Sequence, residues 1–589
     1  MIIITLRSWC LISATVFLFL VRNLLASCGT TPSSIYIYSC RLVVVDHSCI
    51  DQIMARTRRT TMLHLVLTLC IISVSGQNTL SNLGHSAAIH GFLGCLSADI
   101  PSGLIQTPAT PSYSALLLST ARNLRYILPD TSKPVGIIAA AEHAHVQTTV
   151  LCGRHHGVRV RVRSGGHDYE GLSYASVHLH NEPFAVLDLA TLRAIHVDPA
   201  RAEAWAESGA TVGELYYAVG AASRSLGFPA GSCPTMGIGG HLSGGGFGSL
   251  ARKYGLSADN VLDALVVDAD GRLMNRSTMG EELFWAICGG GGESFGVVLS
   301  WKVRLVPVPE TVTVLSITRS RSQGAVELIT KWQEVAPVLP QEVYLRVLVL
   351  NQQANFQAMF LGRCGGLHRL MQYRFPELGM TERDCEEVSW VQSTVFFGFS
   401  TTSMPPEQLL NRSSNPSYYL KAKSDHVQDP IARDVWESIW AGWLDKPEAA
   451  LLMLDPYGGL MSSISPSETP FPHRRGNLYQ IQYYSFWYDN GTAAAEKRMS
   501  WVRGLYKEME PYVSSNPRAV YVNYRDLDLG TNELDGNVTS YHKATVWGHK
   551  YFKGNFKRLA AVKAMVDPHD FFRNEQSIPP LPRCQNDTL

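Results

Sequence analysis

The chain carries almost no excess of charge of either sign, since 51 Lys and Arg residues stand against 50 Asp and Glu residues. The resulting net charge of +1 gives no reason to expect nucleic acid or an anionic membrane as a partner. An apolar run at residues 8–21 has 14 residues, fewer than the roughly 20 that span a bilayer. No internal repeat or long low-complexity tract occurs. The 589 residues, 46% of them hydrophobic, instead predict a globular protein with at least two domains.

The N-terminal region holds two candidate targeting segments. Three arginines precede the apolar residues 62–74, and small residues follow before Gln77. This is the order of a secretory signal peptide. We therefore expect residues 54–76 to be a signal peptide and residues 1–53 to be an upstream extension of the gene model. The alternative is that the run at residues 8–21 is itself a signal or an anchor.

The sequons and cysteines fit secretion. Five Asn-x-Ser/Thr sequons are more than a cytosolic chain needs, and we expect glycans at Asn275, Asn411, Asn490, Asn537 and Asn586. The expected location is the extracellular space or cell wall, with the vacuole as the alternative. Of the 12 cysteines, five lie at or before Cys70, which leaves seven in a processed chain. Because seven is odd, at least one cysteine is unpaired or otherwise engaged.

Three glycine-rich stretches replace the Gly-x-Gly-x-x-Gly fingerprint of a Rossmann domain, which is not evident here. RSGGHDYEG (163–171) follows VRVRV, an alternating run that predicts a strand. GSCPTMGIGGHLSGGGFG (231–248) has eight glycines, and GGGG occupies residues 289–292. Glycine lets backbone N–H groups approach a flat or anionic ligand closely. A glycine-rich hairpin is the alternative for the first stretch alone, but the three together predict a bound dinucleotide.

The chain resembles the plant berberine bridge enzyme-like flavoproteins in motifs that follow the family order from about Ser86 to Pro582: RSGGHDYEGLSY, CPTMGIGGHLSGGGFG, FWAICGGGGESFGVV, PFPHRRGNLYQIQY, VNYRDLDLG and FFRNEQSIPPLP. The resemblance implies FAD as cofactor and an α+β fold. A two-subdomain FAD-binding domain of the vanillyl-alcohol-oxidase type is expected at residues 86–308. A substrate domain of antiparallel sheet backed by helices is expected at 309–517, and a berberine-type segment that returns to the FAD domain at 518–582.

Local patterns add individual elements to this outline. We expect helices at Tyr113–Ile127 and Val212–Leu226 and a strand at Ala185–Leu189. In the substrate domain, TVTVLSIT and VYLRVLVL alternate like strands, whereas VELITKWQEVA and HRLMQYRF are typical of helices. The active site is then expected between the two domains.

The resemblance implies an FAD that is tethered twice, with His167 joined to the 8α carbon of the flavin and Cys233 to C6. Taken alone, a histidine in a turn is usually a local hydrogen bonder, and a cysteine among glycines is a small filler. His241 matches a histidine beside the flavin N1–C2=O locus, where it would stabilise the reduced, anionic ring. No metal is expected. The matching motifs add further cofactor-binding residues, namely Arg163, Ser164, Gly165, Gly166, Asp168, Gly237, Gly239, Gly240, Gly244 and Asn574.

The family pattern also implies one disulfide. It pairs the cysteine of the FLGCL segment with one ahead of the first glycine stretch, here Cys95 with Cys152. Cys233 is then reserved for the flavin. The remaining cysteines have no assigned partner, and they are Cys288, Cys364, Cys385 and Cys584.

Four residues match active-site positions of the family. Tyr169 matches a tyrosine beside the flavin, and Tyr524 a position where several members carry a catalytic tyrosine and others a histidine. Gln482 stands where some alkaloid-oxidising members have a glutamate base and the alcohol-oxidising ones a glutamine, which favours alcohol oxidation. A tyrosine with an ordinary pKa near 10 needs cationic help to act as a base at neutral pH. Gln480 stands where presumed alcohol oxidisers often have lysine, so this help is missing.

Two further positions depart from the family pattern. Cys288 stands where a basic residue is common. Met236 stands where valine is common, over the face at which oxygen meets the reduced flavin. A longer side chain there predicts slow reoxidation by air and a need for another electron acceptor, although the flexibility of methionine weakens the effect.

These observations predict a secreted, monomeric FAD-linked oxidoreductase that acts on an alcohol carbon. The expected substrate is an allylic alcohol of the monolignol type or the anomeric carbon of an oligosaccharide, with oxygen or another compound as electron acceptor. Hydride passes to flavin N5 while Tyr524 takes the hydroxyl proton. The alternatives are oxidative cyclisation of an alkaloid or phenol, and a catalytically weak flavin-binding wall or storage protein.

Overall fold

The computed structural model describes residues 84–129, 131–177, 182–413 and 418–582. The expected signal peptide and upstream extension lie outside them, as do Asn586 and Cys584. Within these ranges, no helix is both long enough and apolar enough to cross a membrane.

The first sheet leads into the first glycine stretch. Its strands lie in the spatial order Ile105–Gln106, Ile137–Ala139, Phe184–Asp188 and Arg159–Arg163. The last three are parallel, and the strands predicted at residues 158–162 and 185–189 are present, each shifted by one residue. The helix His143–His156 packs on this sheet. The Cys95–Cys152 disulfide ties that helix to helical residues 84–99.

The second sheet is antiparallel. Its strands lie in the order Ile195–Asp198, Glu203–Glu207, Val297–Arg304, Val261–Val267 and Leu273–Met274. The helix Val212–Ala222 begins with a capping box, in which the side chains of Thr211 and Glu214 each accept the other's backbone N–H. It ends before the predicted Leu226, because Leu226–Gly227 pairs as a strand with Val306–Pro307.

The helix predicted at Tyr113–Ile127 is divided in two. An α-helix covers Tyr113–Leu118, and a 3₁₀ turn covers Leu124–Tyr126. Between them, the Asn123 amide donates to the backbone carbonyls of Tyr169 and Leu420 at 2.6 and 3.0 Å. These contacts with distant parts of the chain override local helix propensity, and they hold the backbone of Tyr169 in place.

A seven-stranded antiparallel sheet, here called the large sheet, confirms the expected sheet backed by helices. Its strands lie in the order Cys385–Val388, Val312–Ser320, Gln353–Phe360, Val343–Leu350, Leu451–Pro456, Tyr479–Trp487 and Tyr419–Val427. Successive side chains along a strand point to opposite faces. One face forms a core with the helices Ala325–Val335, Cys364–Arg374, Arg433–Ile439 and Thr492–Glu508. The other face carries Gln482 and turns toward Tyr169 of the first glycine stretch.

The end of the chain packs with the second sheet. The helices Tyr541–Phe552 and Asn555–Val566 share a hydrophobic core with it. A short hairpin pairs Leu534–Asp535 with Val538–Thr539. The remaining α-helices with stated bounds are Ile238–Ser243, Ala251–Tyr254, Arg276–Ile287 and Trp390–Phe399. The α+β class is confirmed, whereas the domain boundaries near 308 and 517 stay a prediction.

Arg252, which follows the second glycine stretch in the chain, forms hydrogen bonds to segments next to the large sheet. Its fully buried guanidinium donates to five backbone carbonyls, those of Pro337, Leu339, Pro340, Val343 and Tyr457. Burial lowers the pKa of Arg252 to about 10, so the group remains charged at neutral pH. One side chain thereby satisfies carbonyls from two separate segments that would otherwise be buried without partners.

Two stacked histidines make the fold sensitive to acid. The rings of His426 and His473 are buried with centroids 4.2 Å apart. Burial lowers the pKa of His426 to about 3 and that of His473 well below its ordinary value. An unfolded histidine titrates near pH 6.5, so below that pH the unfolded chain binds more protons than the native one. Stability therefore falls as the pH falls from about 6.5 toward 3, by about 1.4 kcal/mol per pH unit for each histidine.

Replacing His426 by glutamine is expected to flatten this acid dependence, even where the variant is less stable at neutral pH. The measurement is the thermal unfolding midpoint between about pH 4 and pH 8. His569→Gln is the matched control, because the His569 imidazole is exposed. If His426→Gln shows the same pH dependence as His569→Gln and the unaltered protein, groups other than His426 cause the loss of stability in acid.

Candidate active site

The first two glycine stretches pack directly against each other. A Cβ on Gly165 would lie 2.2 Å from the backbone N of Gly237, and a Cβ on Gly237 would lie 2.0 Å from Ser164 Oγ. Any side chain at either position would push the two loops apart. Gly166 has a φ of 63°, in the left-handed region that glycine adopts without steric cost. Loop packing thus accounts for glycines that the sequence analysis assigned to cofactor approach alone.

The loops line a cleft with about 1260 Å³ of empty space, part of it open to solvent. A Cβ on Gly240 would meet no atom within 4 Å, so glycine keeps this wall of the cleft clear. The side chain of Arg163 differs from the expectation, because it is buried in a salt bridge with Asp188 and supports the strand. The predicted cofactor residues that line the cleft are Ser164, Gly165, Gly166, His167, Asp168, Gly237, Gly239, Gly240, His241, Gly244 and Asn574.

Two serine hydroxyls in the cleft are buried without a partner. Ser173 Oγ and Ser208 Oγ line it, and neither has a hydrogen-bond partner among the described residues. Arg525 also lines the cleft and is held by Glu293 at 2.7 Å. Buried polar groups are normally hydrogen-bonded, and hydroxyls with a nearby guanidinium suit the phosphate and ribose oxygens of a dinucleotide. The residues present therefore fit FAD.

The two expected tether residues are in contact. His167 Nε2 lies 3.3 Å from Cys233 Sγ, although 66 positions separate the residues. Burial opposes ionisation of the thiol, but the adjacent imidazole outweighs burial and lowers the pKa of Cys233 to about 6. Such a cysteine is largely thiolate at neutral pH, which is the nucleophilic form. Of the two residues, His167 lines the cleft, and Cys233 is its direct neighbour, so both side chains lie next to the same space.

His241 is held neutral. Burial lowers its pKa to about 3, and its Nε2 accepts the backbone N–H of Gly231 at 2.9 Å. The proton of the neutral ring is then on Nδ1, where it can be donated. The carbonyl of His241 accepts a 3.0 Å hydrogen bond from Asn523, which neighbours Tyr524 in sequence.

Three of the four predicted catalytic residues meet beside His167. Gln482 Nε2 donates to Tyr169 Oη at 2.9 Å. The Tyr169 and Tyr524 rings stack with centroids 6.0 Å apart, and the Tyr169 ring is 6.1 Å from that of His167. Gln482 Oε1 is buried and has no hydrogen-bond partner within the described part of the chain. An acceptor without a donor, beside two phenols, suits a ligand that carries a hydroxyl group.

The fourth residue, Gln480, belongs to a network built on a carboxyl group. Gln480 Nε2 donates to Asp455 at 3.3 Å, and Tyr344 also donates to Asp455. Burial raises the pKa of Asp455. Burial, followed by the charge of Asp455, raises the pKa of Tyr524 well above its ordinary value. Where lysine is common in the family, this chain therefore places an amide next to a carboxyl group.

The other two departures from the family pattern lie in different surroundings. Met236 lines the cleft. Cys288 is buried in the hydrophobic core instead, where burial raises the pKa of its thiol. Because its side chain is enclosed in that core, we assign Cys288 no part in the active site.

The chain matches two known protein families. Residues 134–277 match the "FAD binding domain" family, and residues 520–579 match "Berberine and berberine like". Over 490 residues the chain is 52% identical to the berberine bridge enzyme-like protein Cyn d 4 of Cynodon dactylon, which covers 83% of this chain and 93% of that protein. The chain belongs to the berberine bridge enzyme-like family. It is thus an FAD-dependent oxidoreductase, an oxidase or a dehydrogenase.

Relatives of this berberine bridge enzyme-like protein differ in activity. A monolignol oxidoreductase of Arabidopsis thaliana is 47% identical over 80% of this chain and 88% of that protein. The crystal structure of Phl p 4, a grass pollen allergen with glucose dehydrogenase activity, matches with a TM-score of 0.82 at 51% identity, covering 84% of this chain and all of that one. A variant of that allergen with isoleucine replaced by valine is described as a glucose oxidase.

Sequence reasoning missed several features of this berberine bridge enzyme-like site. Ser208 and Asp455 carry no local signal, because each reaches the site only through folding, whereas Asn523 stands next to Tyr524 in the quoted motif VNYRDLDLG. Ser173 stands within the quoted motif RSGGHDYEGLSY and could have been chosen as a hydroxyl next to glycine. A second disulfide, Cys364–Cys385, was also left unassigned, and it ties a helix to an edge strand of the large sheet.

Proposed function

We propose that this protein oxidises a hydroxyl-bearing carbon with FAD held by two covalent bonds, to His167 and to Cys233. The observation that carries the proposal is the group formed by Gln482, Tyr169 and Tyr524 next to that pair. One amide and two phenols suit a neutral alcohol. A glutamate base at position 482, as in some alkaloid-oxidising members of the family, is absent.

Each side chain has a separate task in the proposed reaction. When bound, the flavin supplies the hydride acceptor. Gln482 Oε1 accepts a hydrogen bond from the substrate hydroxyl, and Gln482 Nε2 fixes Tyr169 so that the alcohol is oriented. Tyr524 takes the hydroxyl proton at Oη when its phenol is ionised, and the phenol that results is neutral. His241, neutral and protonated on Nδ1, donates a hydrogen bond that stabilises negative charge on the reduced ring.

The two tethers rest on the chemistry of the His167 and Cys233 pair. The low pKa of Cys233 provides a thiolate, and this thiolate contacts the imidazole of His167, which lines the cleft. A cofactor held by two covalent bonds cannot dissociate. The substrate site next to it can therefore be wide without any change in the position of the flavin.

Met236 supports a preference for an acceptor other than oxygen. Its side chain lines the cleft and is longer than the valine common there in the family. In the pollen relative, exchange of one isoleucine for the shorter valine accompanies the change from dehydrogenase to oxidase. We propose that Met236 likewise limits oxygen access and that the protein works as a dehydrogenase.

A relative with glucose dehydrogenase activity, 51% identical to this chain, favours a sugar as the substrate. Gln482, Asp455, Tyr344 and Gln480 lie on the face of the large sheet that also carries the contact with Tyr169. Gln480 and Tyr344 both donate to Asp455, so Gln482 Oε1 is the acceptor that is left for a substrate hydroxyl. The anomeric carbon of a sugar is therefore the favoured reacting carbon, with a monolignol-type alcohol as the alternative.

Export of the protein is supported by the accessibility of its sequons. Asn275, Asn411, Asn490 and Asn537 are all exposed, so a glycosyltransferase could reach each of them. We propose a secreted, glycosylated monomer of the extracellular space or cell wall.

The first test is expression of the chain in a secretory host, followed by acid precipitation and by anaerobic titration with sugars and aromatic alcohols. Yellow colour is expected to stay in the pellet, and one class of alcohol is expected to bleach the flavin. His167→Ala and Cys233→Ala should each keep one bond and change the absorption spectrum, and the double variant should release its flavin. Colour released by the unaltered protein would contradict the tethers. Retained colour without bleaching by any alcohol would favour the binding-protein alternative.

A further inference from the structure

A row of aromatic side chains leads from the active site to the protein surface. It lies on the strand Tyr479–Trp487, where Gln482, Tyr484 and Phe486 share one face and the chain continues to Tyr488. Exposure increases outward, from 1% at Gln482 through half-buried Tyr484 and Phe486 to 60% at Tyr488. Six residues of strand cover about 20 Å. The row therefore joins the site of chemistry to solvent.

The rings touch in an unbroken series. Tyr169, which stacks on Tyr524, lies 5.6 Å from the Tyr484 ring, and Tyr484 lies 6.1 Å from Phe486. Phe486 in turn lies 6.2 Å from Tyr488. We call the three outer rings, Tyr484, Phe486 and Tyr488, the aromatic track. It begins at the catalytic group and has no gap.

The Tyr418 ring lies beside the aromatic track and contacts all three of its rings. Its ring centroid lies 6.4 Å from that of Tyr484, 5.8 Å from Phe486 and 6.1 Å from Tyr488. Its hydroxyl is 2.8 Å from the hydroxyl of Tyr484. Cross-strand aromatic pairs do stabilise sheets, and Tyr418 is placed to serve that purpose. Sheet stability alone gives no reason for a ring that is 60% exposed at the end of a series that starts at the catalytic residues.

We propose that the aromatic track binds the second and third rings of an oligosaccharide whose terminal ring is oxidised beside Gln482 and Tyr524. The inference rests on the proposed function and adds a preference for chain length. Continuity with the catalytic group identifies the occupant as the far part of the substrate itself. A single small alcohol would occupy the inner end beside Gln482 only, and the aromatic track, about 13 Å long, would have no use.

The chemistry of the track favours a sugar over a second aromatic unit. Tyr418, Tyr484 and Tyr488 each add a phenol hydroxyl at the rim of a ring. Burial raises the pKa of Tyr418 and of Tyr484, so both phenols are neutral hydrogen-bonding groups at neutral pH. A pyranose presents C–H groups that pack on ring faces and hydroxyls that meet the rims. An aromatic ligand would use the faces and leave the hydroxyls unmatched.

The test compares substrates of different length on variants of the two outer rings. Glucose is measured against neutral di- and trisaccharides of the cello, xylo and laminari series for the unaltered protein, Phe486→Ala, Tyr488→Ala and the double variant. The longer sugars are expected to have the higher kcat/KM, with a lower KM. Each ring removed should raise their KM by roughly two- to tenfold and leave kcat and the values for glucose unchanged. Tyr373→Ala is the matched control, because that ring is 79% exposed on a helix of the opposite face.

Binding is measured in parallel, so that a failure of the chemistry can be told apart from a failure of the track. Calorimetry with the oxidised holoprotein should show trisaccharide binding that the double variant weakens, whether or not the sugar is turned over. Binding without turnover would contradict the proposed function and leave the track supported. No binding of any trisaccharide, an equal loss for glucose and trisaccharide, or a double variant that binds trisaccharide as well as Tyr373→Ala does would each overturn the proposal that the aromatic track binds an oligosaccharide.

Discussion

Replacing Tyr524 by phenylalanine is expected to lower kcat by about 10²- to 10⁴-fold, the usual contribution of a positioned general base. Removing one oxygen leaves the ring that stacks on Tyr169 in place, so KM should change little. The measurement is the rate of anaerobic flavin bleaching at saturating substrate in a stopped-flow instrument. Tyr373→Phe is the control, since it removes the same oxygen from an exposed ring.

The pH dependence identifies the proton acceptor. Burial and the charge of Asp455 hold the pKa of Tyr524 above its ordinary value. Activity that depends on the ionised phenol should therefore rise into the alkaline range. Asp455→Asn removes the negative charge and is expected to move this rise to lower pH, and Gln480→Lys should move it in the same direction by adding a cation. If Tyr524→Phe keeps more than about a tenth of the rate, another group takes the proton.

The location of the active site was predictable from sequence because its glycines serve local backbone geometry. The stretches around His167 and Cys233 have to be glycine-rich for two loops to meet, and that requirement is visible in the sequence itself. Ser208 and Asp455 were not predictable, because Ser208 directly follows a strand, Asp455 lies on one, and the neighbours of both in space are far away in the chain. Arg163 was placed among the cofactor residues for its position in the motif, but its partner is Asp188 on the neighbouring strand.

The helices and strands likewise follow the sequence where local patterns decide them, and depart from it where contacts between distant segments do. The strand Val343–Leu350 and the helix Ala325–Val335 agree with their sequence patterns, because one apolar face of the strand and one of the helix meet in the same hydrophobic core. The predicted helix at Tyr113–Ile127 fails at Asn123, whose amide bonds to Tyr169 and Leu420 decide the local backbone. The spacing of apolar residues along the sequence shows which face of a helix or strand is buried. It carries no information about hydrogen bonds between distant segments of the chain.

A largely buried charge network holds in position Tyr169 and Tyr524, the two tyrosines proposed to act in catalysis. Lys421, on an edge strand of the large sheet, is bonded to Glu170 and lies 2.5 Å from Asp526. Lys423 also lies 2.5 Å from Asp526, and Arg503 bonds Asp528 at 2.8 Å. Glu170 directly follows Tyr169, and Asp526 comes two residues after Tyr524. The network thus ties both tyrosines to the strand that pairs with the strand of Gln482.

Lys421→Met is expected to destabilise the protein by about 3 to 5 kcal/mol, the usual result of removing one partner from a buried charge group. Burial alone would lower the pKa of Lys421, but Glu170 and Asp526 outweigh it and raise the pKa, so the group is charged in the native state. The network contains three cations, Lys421, Lys423 and Arg503, and three carboxylates, Glu170, Asp526 and Asp528. Loss of Lys421 therefore leaves one negative charge uncompensated in a buried site. The measurement is the unfolding rate in denaturant, since a chain of this size often unfolds irreversibly.

Lys497→Met is the control for Lys421→Met, because Lys497 is exposed on the helix Thr492–Glu508 and should change stability by less than about 0.5 kcal/mol. The added change Glu170→Gln, made in the Lys421→Met background, removes the uncompensated charge and should recover part of the loss. Lys421→Met should also lower kcat, because Tyr169 and Tyr524 lose the anchor that fixes their spacing. A variant as stable as Lys497→Met, with unchanged kcat, would show that Lys423 alone neutralises the carboxylates and that the tyrosines are positioned by their own packing.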